Sequence, residues 1–183
     1  MSVAVVHQGG LNRLEMFARR KAGKHQFEIF LEEHLGLLYR VAGSYEANPA
    51  RREDLLQEIT LAIWQASGRF ASRSSFKTFA MRIAHNRAIT HCTRAARAPV
   101  MVDLSEHDGV DPHDPETRTE QAMQQEALLA AVRRLPLAQR QIVTMALEGL
   151  SYSEIAEVMD ISVSNVGVRL NRARARLQEL VNV

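Results

Sequence analysis

Apolar residues return at steps of three and four through nearly the whole chain, and a period of two never persists long enough to build a sheet. The expected fold is therefore all-α. Phe27, Phe30, Leu31, Leu38, Val41 and Tyr45 form one stripe, and Leu55, Ile59, Ala62, Ile63 and Ala66 a second. Phe76, Phe79, Ala80, Ile83 and Ala84 form a third. The breaks between them, Glu46-Ala-Asn-Pro49 and the polar stretch 67–75, are built from helix-ending residues and are short enough for antiparallel neighbours. A hydrophobic share of 46% is ample for real cores.

From 99 to about 119 the periodicity gives way to three prolines, a glycine and a run of acids. A second helical set follows, at 122–135, 138–148, 152–159 and 163–181. The expected organisation is two small helical domains, 26–98 and 122–183, joined by a flexible acidic linker, 99–121. A basic extension, 1–25, carries Arg13, Arg19, Arg20, Lys21 and Lys24 with weak periodicity, and reads equally as a frayed arm or a short extra helix.

Charge is segregated along the chain. Between Arg69 and Arg97 stand seven bases (Arg69, Arg73, Lys77, Arg82, Arg87, Arg94, Arg97) and no carboxylate, which is the signature of a polyanion-facing segment. Between Glu28 and Glu58, seven acids oppose three bases, so a different partner is expected there. The linker holds seven acids between Asp103 and Glu120 against Arg118 alone, whereas 161–178 holds four arginines and no acid.

The segment from Ser151 to Leu180 has the order of a helix-turn-helix. Ser151 and Glu154 match a capping box, Ile155, Ala156 and Met159 face inward, and Asp160-Ile-Ser162 supplies the turn, with Ser162 able to cap the next helix. In that second helix Val166, Leu170, Ala173, Leu177 and Val181 form the seating stripe. The opposite face presents Ser164, Asn165, Val168, Arg169 and Arg172, the early members placed for base edges and the arginines for phosphates. Asp160 stands where a left-handed glycine is usual, and Gly167 inside the helix costs about 1 kcal/mol relative to alanine.

With these elements in place, the order Asp54-Leu-Leu-Gln-Glu58, Trp64, Arg69-Phe70, Ser75-Phe-Lys-Thr-Phe79, Arg82-Ile-Ala-His-Asn86, Leu135-Pro-Leu-Ala-Gln-Arg140 and Leu150-Ser-Tyr-Ser-Glu-Ile-Ala156 resembles a bacterial RNA polymerase sigma factor of the extracytoplasmic-function group. That group keeps only the second and fourth sigma regions. The resemblance covers about 26–97 and 124–181. It implies that Asp54, Gln57 and Glu58, which share one helical face, dock on the clamp helices of the largest polymerase subunit, with the flap as a further contact. It implies that Arg69, Phe70, Arg73, Lys77, Arg82, Asn86 and Arg87 open and hold the minus ten element, the 67–75 loop taking a flipped base of the non-template strand. Aromatics at helical spacing are usually core, so Phe70, Phe76 and Phe79, and likewise Trp64, read first as packing. Arg169 and Arg172 would contact the minus thirty-five element, and Gly167 stands where a basic residue is common. Thr90 and Phe79 also depart from the pattern, which often has aspartate and tryptophan there.

The partners so implied are core polymerase, promoter DNA as duplex and single strand, and an anti-sigma protein. No catalytic residue, cofactor or metal is expected; His107, Asp108, Asp111, His113 and Asp114 lack ligand spacing. Cys92 is a single thiol, which excludes an internal disulfide. With no apolar run near the roughly 18 residues of a membrane span and no secretory signal, the expected location is cytoplasmic without membrane insertion. The rivals are a self-sufficient helix-turn-helix regulator, which would bind duplex tightly without polymerase, and a helical metallo-enzyme, for which no Glu-x-x-His pair exists.

Overall fold

A computed structural model describes residues 4–97 and 120–181, with side chains for 20–97 and 120–180. These residues form seven helices and no strand: α1 (Ala4–Gly43), α2 (Pro49–Ser67), α3 (Phe76–Arg97), α4 (Glu120–Arg133), α5 (Leu137–Leu147), α6 (Tyr152–Met159) and α7 (Val163–Val181). All but the end of the expected linker, with His107, Asp108, Asp111, His113 and Asp114, lies outside the described residues. None of the seven helices is long and apolar enough to cross a membrane.

The basic extension belongs largely to α1, which runs without a gap from Ala4 and loses helical geometry only at His34 (φ −130°, ψ 16°). Its ring packs edge-on to Phe30 at 5.0 Å. The expected breaks are real and have local causes. Asn48 caps α2 by accepting from the Arg51 N–H at 3.1 Å, with Pro49 at the first helical position, and Ser75 accepts from the Thr78 N–H at 3.0 Å to start α3.

α1, α2 and α3 pack on one another, as do α4 to α7, and α3 also touches α5 and α6. Leu38, Val41, Leu55, Ile59, Ile63, Met81 and Ala84 are fully buried in the first bundle; Leu135, Ile142, Met145, Ile155, Val166 and Leu170 fill the second. The buried residues of both make one cluster.

Polar contacts stitch the bundles together. Arg40 donates twice to the carboxylate of Glu148, at 2.9 and 2.6 Å. Arg52, buried, reaches the Glu46 and Ala47 carbonyls and pairs with Glu126 at 3.3 Å. Glu126 is also held by Arg133 at 2.8 Å, while Arg133 donates to the Gly43 carbonyl at 2.6 Å. Such pairing offsets part of the cost of taking a guanidinium out of water.

Candidate nucleic-acid interface

The helix-turn-helix forms from the local signals in its sequence. Ser151 and Glu154 complete the capping box, and hydrogen bonds from the Ser151 N–H and hydroxyl hold the Glu154 carboxyl below the usual carboxylate range. Asp160 closes α6 in the left-handed region (φ 54°, ψ 49°), and Ser162 accepts from the Asn165 N–H at 3.3 Å to open α7. Val166, Leu170 and Ala173 are fully buried, so the opposite face turns outward. Ser164, Val168, Arg169 and Arg172 are exposed there and Asn165 half-buried; Arg169 donates to the Asn165 amide oxygen at 3.1 Å. A Cβ at Gly167 would meet Tyr152 at 3.7 Å, an ordinary contact, so packing within the chain does not demand the glycine.

The seven residues expected at the minus ten element are divided by the structure into three groups. Arg69, Asn86 and Arg87 converge on one cavity of about 450 Å³ between α2 and α3, whose other walls are Ala62, Gln65, Ala66, Ile83 and Thr90. Ala62, Ala66 and Ile83 were expected only in the apolar stripes, Thr90 only as a departure from the family pattern and Gln65 not at all, yet Ala62 and Ala66, and Ile83, Asn86, Arg87 and Thr90, recur at helical spacing, which was the available signal. Phe70 and Arg73 instead line a second cavity across the 68–75 loop.

Lys77 and Arg82 form the third group, and both are engaged by the second bundle. Lys77 Nζ donates to the Glu148 carbonyl at 2.7 Å, and Arg82 donates to the Glu157 carbonyl and lies 3.5 Å from its carboxylate. Beside them Thr78 donates to the Glu154 carboxylate at 2.8 Å, so the α6 cap is itself a contact with α3.

The aromatic residues are mainly core. Phe76 is buried, and Phe70, Phe76 and Phe79 pack ring against ring with centroids 5.1 to 5.6 Å apart. Trp64 departs from the packing expectation: it is 44% exposed, with Lys24 Nζ 5.1 Å from its ring centroid.

On α2, Asp54 and Gln57 are exposed on one face with Glu58 half-exposed beside them, and Leu61, 53% exposed, continues that face by one turn. Glu58 lies 3.6 Å from Arg94 of α3, both well solvated, which makes a weak pair that a partner's arginine can replace.

Comparison with known proteins agrees with both halves. Sigma-70 region 2 matches residues 30–98 and sigma-70 region 4 matches residues 125–177. The extracytoplasmic-function (ECF) RNA polymerase sigma-E factor of Escherichia coli is 32% identical over 141 residues, which are 70% of this chain and 72% of that protein. Its Haemophilus influenzae namesake is 29% identical over 154 residues, 78% and 82% of the two chains. The fold is that of CnrH, solved in complex with the cytosolic domain of CnrY (TM-score 0.64, 20% identity, 93% of this chain and 96% of that one). It is also that of the sigma factor RpoE, solved with the anti-sigma factor NepR from Bartonella quintana (TM-score 0.62, 24% identity, 85% and 98%).

An all-helical pair of domains, one with an outward-facing helix after a tight turn and the other with an acid-free segment bordering a cavity, defines a transcription initiation factor. Within that class, the chain belongs to the sigma-70 family, in its extracytoplasmic-function group. It serves promoter-specific initiation by RNA polymerase.

Proposed function

We propose a division of that task among named residues. Asp54, Gln57 and Glu58 hold the clamp helices of core polymerase. Ser164, Asn165, Val168, Arg169 and Arg172 read the minus thirty-five element as duplex. Arg69, Asn86 and Arg87 receive an unstacked base of the minus ten non-template strand, with Phe70, Arg73, Lys77 and Arg82 along the strand's path. The domains doing this are 26–98 and 122–183, with 99–121 as the tether.

The observation that carries the reading is the convergence of Arg69, Asn86 and Arg87 on one cavity in a segment without a carboxylate. An amide there offers a donor and an acceptor to a base edge, and two guanidinia offer phosphate contacts. The chain makes and breaks no covalent bond itself, works in the cytoplasm with polymerase, and is held in reserve by an anti-sigma protein. The last point is supported by the two solved relatives, of which RpoE was solved with an anti-sigma factor.

Run-off transcription tests the reading. Core polymerase supplied with this chain and a genomic promoter library is expected to yield start sites that share two spaced elements. No promoter-specific product from any fragment, together with tight duplex binding by the chain alone, would replace the proposal with an autonomous regulator.

A further inference from the structure

The N-terminal part of α1 lies ahead of the segment matched by sigma-70 region 2, residues 30–98, and has no task in the division proposed above. It is nevertheless built into the first bundle. A Cβ at Gly23 would overlap the carbonyl oxygen of Ser67, so two backbones meet where no side chain fits. Beside this point a Cβ at Gly68 would come 3.1 Å from the Arg20 side chain, and Lys24 Nζ stands 5.1 Å from the centroid of the Trp64 ring. Both cations sit at the C-terminal end of α2, where the helix dipole is negative. Ala22, Gly23 and Gln26 form the α1 wall of the cavity across the 68–75 loop, whose loop side carries Arg73.

The contact joins two stretches of one sign. Between Glu15 and Glu28 stand Arg19, Arg20, Lys21 and Lys24 without a carboxylate, and between Glu58 and Asp103 there is again none. Gly23 on Ser67 and Arg20 on Gly68 bring the first stretch against the second, so that Arg20 stands beside the backbone that carries Arg69. Arg20, Lys21 and Lys24 are exposed, and their spacing puts them on one side of the helix. Glu28, the first acid beyond them on α1, lies 3.8 Å from His25. Charges so close act on the same stretch of a polyanion, the screening length being roughly 10 Å at 0.1 M salt.

We propose that this side of α1 is a phosphate track: Arg20 and Lys21, continuing from Arg69 and Arg73, hold the DNA backbone outside both promoter elements without reading a base. The proposal rests on the strand path given above. Lys24 lies over Trp64, the exposed ring beside it, so the surface presents charge where a protein interface would centre on an apolar anchor. Phosphates repeat uniformly, so contacts to them add affinity and salt dependence and leave base preference alone. The Gly23 contact contributes by seating the helix in advance, which spares the ordering cost that a loose basic arm incurs on binding.

The test is binding by holoenzyme, assembled from core polymerase and this chain, to a promoter recovered by run-off transcription, over a series of potassium chloride concentrations. Arg20→Ala with Lys21→Ala should lower the slope of log affinity against log salt by about 1.4 to 1.8, the share of two phosphate contacts on single strand or duplex. Affinity at low salt should fall with it, while base preference and retention on core polymerase stay as in the wild type. Arg51→Ala with Arg134→Ala, which removes as much charge from exposed positions elsewhere, should leave the slope unchanged. Should the first pair of changes melt the bundle, Lys21→Ala alone, at an exposed position, is expected to give half the effect. An unchanged slope, alongside weaker binding by Asn86→Ala, overturns the track and leaves strand capture standing. Reduced retention on core polymerase overturns it in favour of a polymerase surface, and an equal effect of the control in favour of net charge. No effect of Asn86→Ala overturns the capture reading, and with it the strand path on which the track depends.

Discussion

Arg82 of α3 donates to the main-chain carbonyl of Glu157 in α6, so a side chain proposed for promoter phosphates is occupied by the helix-turn-helix bundle of its own chain. Lys77 is occupied in the same way by Glu148. DNA that uses both must first part the two bundles.

The Arg40–Glu148 pair is the contact to remove. Glu148 has 6% of its side chain exposed but Arg40 has 40%, so screening limits the pair to about 1 kcal/mol. Glu148→Ala should shift the chain toward separated domains, read as a larger radius of gyration by small-angle scattering. Single-strand affinity of the free chain should rise several-fold. An unchanged scattering profile would mean that the apolar contacts alone keep the bundles together.

Arg169→Ala with Arg172→Ala should remove discrimination for the upstream element, at about 1–3 kcal/mol for an arginine reading a base edge and less for a phosphate contact. Footprinting by holoenzyme measures this, and a pull-down should show undiminished polymerase binding. Loss of polymerase retention instead would refute the division of labour.

Asp54→Lys with Glu58→Lys should weaken retention on core polymerase by at least tenfold while circular dichroism stays unchanged. Because Glu58 neighbours Arg94, the control is Arg94→Ala, which breaks that pair without touching the docking face. Equal losses from the control and the double variant would show that the pair, and not the face, was responsible.

Asp160 sits in the left-handed region at φ 54°. Asp160→Gly should relieve that strain and raise stability by about 0.5–1 kcal/mol, the gain being partly offset by the freer unfolded glycine. A thermal melt checks it; a lower midpoint would mean that the Asp160 side chain contributes more than its backbone costs.

His85 is fully buried, hydrogen-bonded through Nδ1 to the Tyr45 hydroxyl at 2.7 Å, and burial pushes its pKa down to about 3. The unfolded chain takes up this proton near pH 6.5, the folded one only near 3. Stability from this group is thus complete above 6.5 and falls by about 1.4 kcal/mol for each pH unit below it. Urea melts between pH 7 and 5 should show a slope that His85→Gln reduces; equal slopes would assign the loss to other groups.

What could be read from sequence was what is local. Helical periodicity, the Ser151 and Glu154 cap and the Glu46-Ala-Asn-Pro49 break each act within a few residues, and each appears where the pattern put it. The length of α1 was obscured because beyond Phe27 it meets a helix end and a loop, through Gly23 and Lys24, and so carries no apolar stripe. The grouping of the basic segment was equally hidden. Arg69 and Asn86 meet across two helices, while Lys77 and Arg82 find carbonyls more than 70 positions away, and neither relation leaves a spacing in the chain.

The meeting of Gly23 with the Ser67 carbonyl carries a practical consequence. A version trimmed to the segment matched by sigma-70 region 2, which starts at residue 30, would begin after this contact. It would expose the C-terminal end of α2 to solvent and cut away one wall of the cavity beside the 68–75 loop. Such a fragment would be a poor stand-in for the whole chain in any binding assay. Even an alanine scan would register position 23 as intolerant, although no side chain there touches anything.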